Sequence, residues 1–512
     1  MCETFGPGAL TGNDYWKLLT RAGLGISQEY TSMVYFGRDP MSNIDEVYRS
    51  FRPDMRVWGW TGYFYTADRA KFMPWWFAAH RFGGFSWYAA TAPGYNIIDP
   101  DTHALTVDGR DLKASLEDSR LLDGLGRAFL EYEWAKRDIA IYYSHDSLLL
   151  ATIRGPETKN REIAARSPFH DYMYSRMGAQ YLVEDLLYQH DYVAPEQMLA
   201  GKLAEYKVLV MPRINAMSDA EVAAVKAFLA KGGKAVADEL PGGWDELGVP
   251  REQNPFEGVD GMFVYGRNFD DLNREQRLEA LRFLDDVGAG PVLKSATIAD
   301  VFGREAMRFT DGVNDIYAIL RHPGRSQDEA EETFEFPRGG FAWDVRARKA
   351  LGRTDRVTAK VPHASASVYA VLPYEAKGVS ISAPNEAKAG SVLSVDVRLD
   401  ASGAPVGTHV FNVRFVPPSG ECRFHFRRNV AAKGGVAHVD FPLALNDETG
   451  TWKIIAEDAL TGLRAERELK VGCCGGLTLR RNSRIMDACL DSAESTKPRL
   501  ESPRPCSSAR RA

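Results

Sequence analysis

Three rhythms of apolar and polar residues succeed one another along this chain. Up to about residue 100, short apolar runs alternate with amphipathic stretches. Asp14–Ala22, Ile44–Phe51 and Pro74–Arg81 read as helices, the last with proline in its first turn. Leu24–Tyr30, Met55–Trp60 and Gly84–Ala90 read as strands. Alternation at this spacing predicts parallel β/α units, about three of them, too few to close a barrel of eight.

A long polar helix over Leu112–Ala135 leads to the second rhythm. "DIAIYYSHDS" (Asp138–Ser147), "YKVLVMP" (Tyr206–Pro212) and "KAVAD" read as buried strands. Between the last two, Ser218 with Glu221 forms a capping box, and Gly232 and Gly233 end the helix. This is a doubly wound, flavodoxin-like pattern. From about Phe263 the period shortens to two. "DGVNDIYAILRH", "ASVYAVLPY", "SVLSVDVRLD", "THVFNVRFV" and "TWKIIAED" are half-buried antiparallel strands, spaced as two successive β-sandwiches. The second is immunoglobulin-like without a Cys–Trp–Cys core.

After Val471 the chain turns to GCCGG and then to Arg, Ser and Pro, which reads as a disordered tail with an out-of-frame or artefactual end. The expected fold class is multidomain α/β plus all-β. A partial (β/α)8 TIM barrel covers 1–111 and a flavodoxin-like doubly wound domain 112–245. Sandwiches follow at 246–375 and 376–472, with the tail at 473–512.

Composition removes several classes of function. With 512 residues, 45% apolar and 26% charged, the chain is ordinary globular protein. A net charge of −6 gives no basic surface for nucleic acid. No window nears the length of apolar residues that a membrane span needs. The opening MCETFGPGALTG lacks the basic and apolar regions of a signal peptide, which favours the cytoplasm. Cys2, Cys422, Cys473, Cys474, Cys489 and Cys506 form neither a disulfide framework nor a zinc pattern, and the 10 histidines are scattered. No metal or cofactor is expected.

Candidate chemistry gathers in the first segment. "FMPWWFAAHRFGGFSWYAATAPGY" (Phe72–Tyr95) is dense in aromatic residues. Neighbouring positions of a helix cannot all face one way, so Trp75, Trp76 and Phe77 read mainly as core. Trp60 and Trp87, at strand ends, are candidate sugar platforms against simple packing, with Tyr63 placed alike. "GISQEYTS" sets Glu29 and Tyr30 at the carboxyl end of a strand, the active face of a barrel. Glu29 there is a catalytic carboxylate, a cleft-wall group bonded to a sugar hydroxyl, or an ordinary ion-paired strand end. Arg38, in the loop beyond, is a hydroxyl ligand or a solvated turn. In the second block an amidotransferase would need a cysteine elbow, yet the strand ends "VMPRIN", so that activity is excluded.

The order of modules resembles the β-galactosidases of glycoside hydrolase family 42. "DYWKLL", "YRSFRPDMRVWGWTGYF" and "PWWFAAHRFGGFSWYAA" look like the last units of that family's barrel. "IAIYYSHDS" and "YKVLVMPRINAMSDAEVAAVKAFLAKGGKAVAD" look like its amidotransferase-like trimerisation domain. The resemblance implies a homo-oligomer, with a trimer the order that domain suggests, and an oligosaccharide or glycoside substrate. It also implies retaining hydrolysis by two carboxylates about 5–5.5 Å apart. The family's Asn-Glu pair on the fourth barrel strand is missing, and that strand would fall before Met1. The nucleophile's strand aligns with "MRVWGWTGY", where Thr61 stands in place of a carboxylate. The competing expectation is a carbohydrate-binding or oligomerisation fragment without catalysis.

Overall fold

A computed structural model describes residues 14–21, 26–31, 41–61, 67–87, 90–91, 97–155, 168–295, 302–323, 331–403 and 405–473. Within these, the side chains at 26–31, 41–45, 56, 60–61, 67, 69–70 and 87 lie outside the description. Strands β1 (Ile26–Thr31), β2 (Arg56–Thr61) and β3 (Gly84–Trp87) pair in chain order, and both pairings are parallel. Helix α1 (Tyr15–Arg21) precedes them, α2 (Met41–Phe51) joins β1 to β2, and α3 (Ala67–Ala79) joins β2 to β3.

Helix α3 begins seven positions earlier than the sequence suggests, with Pro74 in its interior. Proline there removes one backbone hydrogen bond. The helix survives because Phe72, Met73, Trp75, Trp76 and Phe77 are all buried. They face different partners: Phe77 stacks on Phe85 of β3 at 4.8 Å, and Phe72 meets the His322 ring at 4.7 Å. The Arg346 guanidinium lies 4.9 Å from the Trp75 ring. A helix held between two sheets is apolar on all sides, which is why adjacent aromatic residues are all interior.

The expected helix over 112–135 is broken. Helix α4 (Val107–Ser119) starts at Thr106, whose hydroxyl accepts from the Gly109 amide at 3.1 Å, and stops at Arg120 with φ +58°. A turn over Leu121–Leu125 contains Gly124 at φ +111°, and a short helix spans Gly126–Glu131. The break is anchored: buried Arg120 donates to Glu457 Oε1 at 2.7 Å and to the Val345 carbonyl at 2.5 Å.

The second sheet has five parallel strands. Its spatial order is His190–Val193, Ile139–Tyr142, Val208–Met211, Lys234–Ala237, Met262–Val264. In chain order that is 2-1-3-4-5, the flavodoxin-like arrangement. Its fifth strand lies beyond residue 245, so a boundary there cuts the sheet. Three residues are too few to carry a periodic signal.

A sandwich over 246–375 is not what forms. Lys294–Ser295, Glu331–Asp344, Ser365–Leu372, Asp315–Arg321, Arg304–Thr310 and Glu133–Trp134 make one antiparallel sheet, with Lys349–Lys360 paired onto Glu331–Asp344. One face sends Phe309, Ile316 and Leu320 into the core that holds α3. The other gathers Tyr317, Phe334 and Phe336 with Leu187 and Val292. Helices and loops cover this sheet, so no second sheet is needed to bury it.

The last described segment is a two-sheet sandwich. Glu375–Ser382, Val392–Ser402 and Val436–Pro442 form one sheet. Glu386–Lys388, Arg464–Gly472, Gly450–Asp458, His409–Val416 and Arg427–Ala432 form the other. Leu393, Val395, Val397 and Leu399 alternate inward, and Phe415 contacts Phe441 across the sheets at 5.8 Å and stacks on Trp452 at 4.3 Å. Residues 474–512 lie outside the described chain.

Candidate functional site

The carboxyl edge of β1–β3 is where barrel chemistry would sit, and its register sorts the candidates into rows. Glu29 pairs with Gly59, and Gly59 with Phe85. A Cβ on Gly59 would lie 2.2 Å from Phe77, so this row abuts α3. The alternate row is Gln28, Trp58 and Gly84, where a Cβ on Gly84 would lie 2.5 Å from the Trp58 ring. Trp58 is 41% exposed. Two residues further along, Tyr30, Trp60 and Ser86 share a row. Trp87 pairs with Thr61 in the row beyond, two positions from Phe85.

Side chains alternate between faces along a strand. Tyr30 and Trp60 therefore fall in the register of exposed Trp58, whereas Glu29 and Trp87 fall in that of the helix-packed row. The side chains of Glu29, Tyr30, Trp60 and Trp87 lie outside the description, and so do Tyr63 and Arg38 entirely. Trp58, midway along β2 and opposite the first residue of β3, is an exposed aromatic side chain among the described residues of this sheet. Its signal in the sequence is Gly84, a residue without a side chain beside a large ring.

A second concentration of ionisable groups lies behind α3. Glu46 and Arg49 of α2, His80, Glu305 and His322 are all buried. His80 Nδ1 is 2.5 Å from Glu46 Oε1, and its Nε2 is 3.3 Å from Glu305 Oε1. His322 Nε2 is 3.2 Å from the same Glu305 oxygen, and Arg49 bridges Glu46 at 3.0 Å. Burial alone would raise the Glu46 carboxyl, but Arg49 and His80 outweigh it and hold it at about 2. Burial opposes a charge on His80, yet Glu305 and Glu46 raise its pKa above the usual 6.5. Neighbouring His190 goes the other way, pushed by burial down to about 4. The adjoining cavity is about 20 Å³, room for a water molecule and not for a sugar. This cluster holds elements together; it does not receive substrate. Among the described residues, no group of three or more His, Cys, Asp or Glu is arranged to hold a metal ion.

No family model matches the sequence, and no curated protein matches it. Among solved structures, a catalytic mutant of a glycoside hydrolase family 42 β-galactosidase from G. stearothermophilus is similar over 70% of this chain and 61% of its own. Identity is 11% and the TM-score 0.52. The chain thus spans less than two thirds of that enzyme. The apo exo-carrageenase of the same family from Bacteroides ovatus matches 64% of this chain and 43% of its own, at 12% identity and TM-score 0.42. At such identity the likeness is one of fold alone: this chain is a multidomain α/β plus β-rich protein.

Proposed function

We propose that this protein acts on carbohydrate, as a β-galactosidase-like glycoside hydrolase with β-linked galactosides or related oligosaccharides as substrates. The observation that carries the reading is the parallel β1–β3 sheet, which holds an open tryptophan midway along β2, within a fold similar to a family 42 enzyme. In this reading β1–β3 are late strands of a (β/α) barrel, and sugar lies against the rows of Trp58, Tyr30 and Trp60. Glu29 is the candidate carboxylate of a retaining pair, with Tyr63, Trp87 and Arg38 nearby in sequence. The assembly is a homo-oligomer, and light scattering reads its order.

One observation favours a second reading. Glu29 shares its row with Gly59 and Phe85, the row against α3. That placement suits carbohydrate binding without turnover. Purified chain tested on aryl β-glycosides and, by calorimetry, on unlabelled oligosaccharides separates the two. Turnover supports the hydrolase; binding without turnover supports the second reading; neither removes both.

A further inference from the structure

The carboxyl edge of the five-stranded parallel sheet carries another cleft, of about 490 Å³, within the ~300–1,000 Å³ range of small-molecule sites. Ligands of open doubly wound sheets bind outside the carboxyl ends of the strands. Here the central strand Val208–Met211 runs into Arg213, which has φ +46°. A non-glycine residue in that region is strained and persists only where its surroundings hold it.

They do hold it. The Arg213 amide donates to Asp238 Oδ1 at 2.8 Å, its Nε lies 3.3 Å from Asp238 Oδ2, and its guanidinium pairs with Glu239. Asp238 is further fixed by the Ser175 hydroxyl at 2.5 Å and the Glu239 amide at 3.0 Å. Also in the lining, the Arg154 guanidinium lies 4.6 Å from the Trp244 ring, with Asp171 beside them in the same cleft.

The chemistry narrows the ligand. Arg213 is neutralised in place by two carboxylates, so an anion would meet a cation already paired and a carboxylate in its way. An apolar ligand would leave the ionic groups desolvated. Hydroxyls, which both donate and accept, match planar carboxylates and guanidinium together. We propose that this cleft binds a neutral mono- or disaccharide, at a site separate from the β1–β3 edge. The assignment does not depend on any catalysis at that edge.

Calorimetry on the full chain tests it, with galactose, lactose and maltose as probes and inorganic phosphate and glutamate as charged controls. Glu239→Gln should weaken saccharide binding tenfold or more. Gly243→Leu should weaken it tenfold or more, because the added side chain projects into the cleft. A Cβ at Gly243 meets nothing nearer than Asn254 Nδ2 at 3.9 Å, so the variant should fold, and thermal unfolding verifies this. Aryl-glycoside turnover reads the other edge separately. The proposal is overturned if no saccharide binds at tens of millimolar, if binding is indifferent to both variants, or if phosphate or glutamate binds in preference.

Discussion

Gly59 shows how much a single position decides in this protein. Any side chain there enters the space of the Phe77 ring, so Gly59→Ala should destabilise by about 1–3 kcal/mol, read from urea midpoints. An unchanged midpoint would mean that Phe77 moves aside freely and that the row is not tightly packed. The same glycine bears on Glu29, its neighbour in register. Should Glu29 be the acid–base group, Glu29→Gln lowers kcat by about 10²–10⁴-fold while the chain stays folded. Near-normal turnover in that variant would move the chemistry to other carboxylates. That Trp75, Trp76 and Phe77 are core was legible in the sequence, because consecutive helical residues cannot share one face. The parity of Glu29 was not read, although Gly59 carried the clue, since strand pairing is a long-range fact. Arg213 was passed over as the place where a cysteine is missing; its positive φ has no signature in residue type.

Among elements, legibility follows local chemistry. The helix Asp219–Ala230 was readable because its start is written in two residues: Ser218 Oγ accepts from the Glu221 amide at 3.3 Å, and Glu221 answers to the Ser218 amide at 2.5 Å. Ser218→Ala should therefore cost about 1 kcal/mol, seen as a lower urea midpoint with an unchanged slope. Loss of several kcal/mol would instead implicate buried Glu221, which also accepts from the Tyr142 hydroxyl. Where elements are fixed by distant partners, the sequence was silent or misleading. The polar stretch after Leu112 has helical periodicity throughout, yet Arg120 breaks it by reaching Glu457 and Val345. Strands His190–Val193 and Met262–Val264 are too short for a period, and they exist as the edge strands of the sheet, each held by one neighbour. One antiparallel sheet was taken for a sandwich because alternation along a strand reports a buried face, not whether a helix or a sheet buries it.

At the scale of the molecule, the segment bearing β1–β3 is tied to the antiparallel sheet through charge as well as through α3. His80 links Glu46 of α2 to Glu305, which lies far along the chain. Three titrations set how this joint responds to pH. The pKa of His80 is raised in the fold, so its contribution is complete below about 6.5 and is lost as pH rises through the folded value. For His190, lowered to about 4, the contribution is present above about 6.5 and declines as pH falls from there towards 4. Glu46 is held at about 2, so its contribution is lost as pH falls from about 4.5 towards 2. The groups facing His80 from the packed elements include Arg49, His322 and Glu305, of which Glu305 is also held well below the usual carboxylate range. Together these place the stability maximum contributed by the joint near pH 6.5, with a decline on each side. Urea unfolding of the full chain from pH 5 to 9 measures the curve. His80→Gln should flatten the alkaline limb, because an amide has no proton to lose there, and it should lower stability at pH 6.5 by removing the cation between two buried carboxylates. Breaking one partner of a buried ion pair costs about 3–5 kcal/mol. If His80→Gln keeps the full alkaline slope, another group titrates in that range and the joint is held by packing of α3 alone.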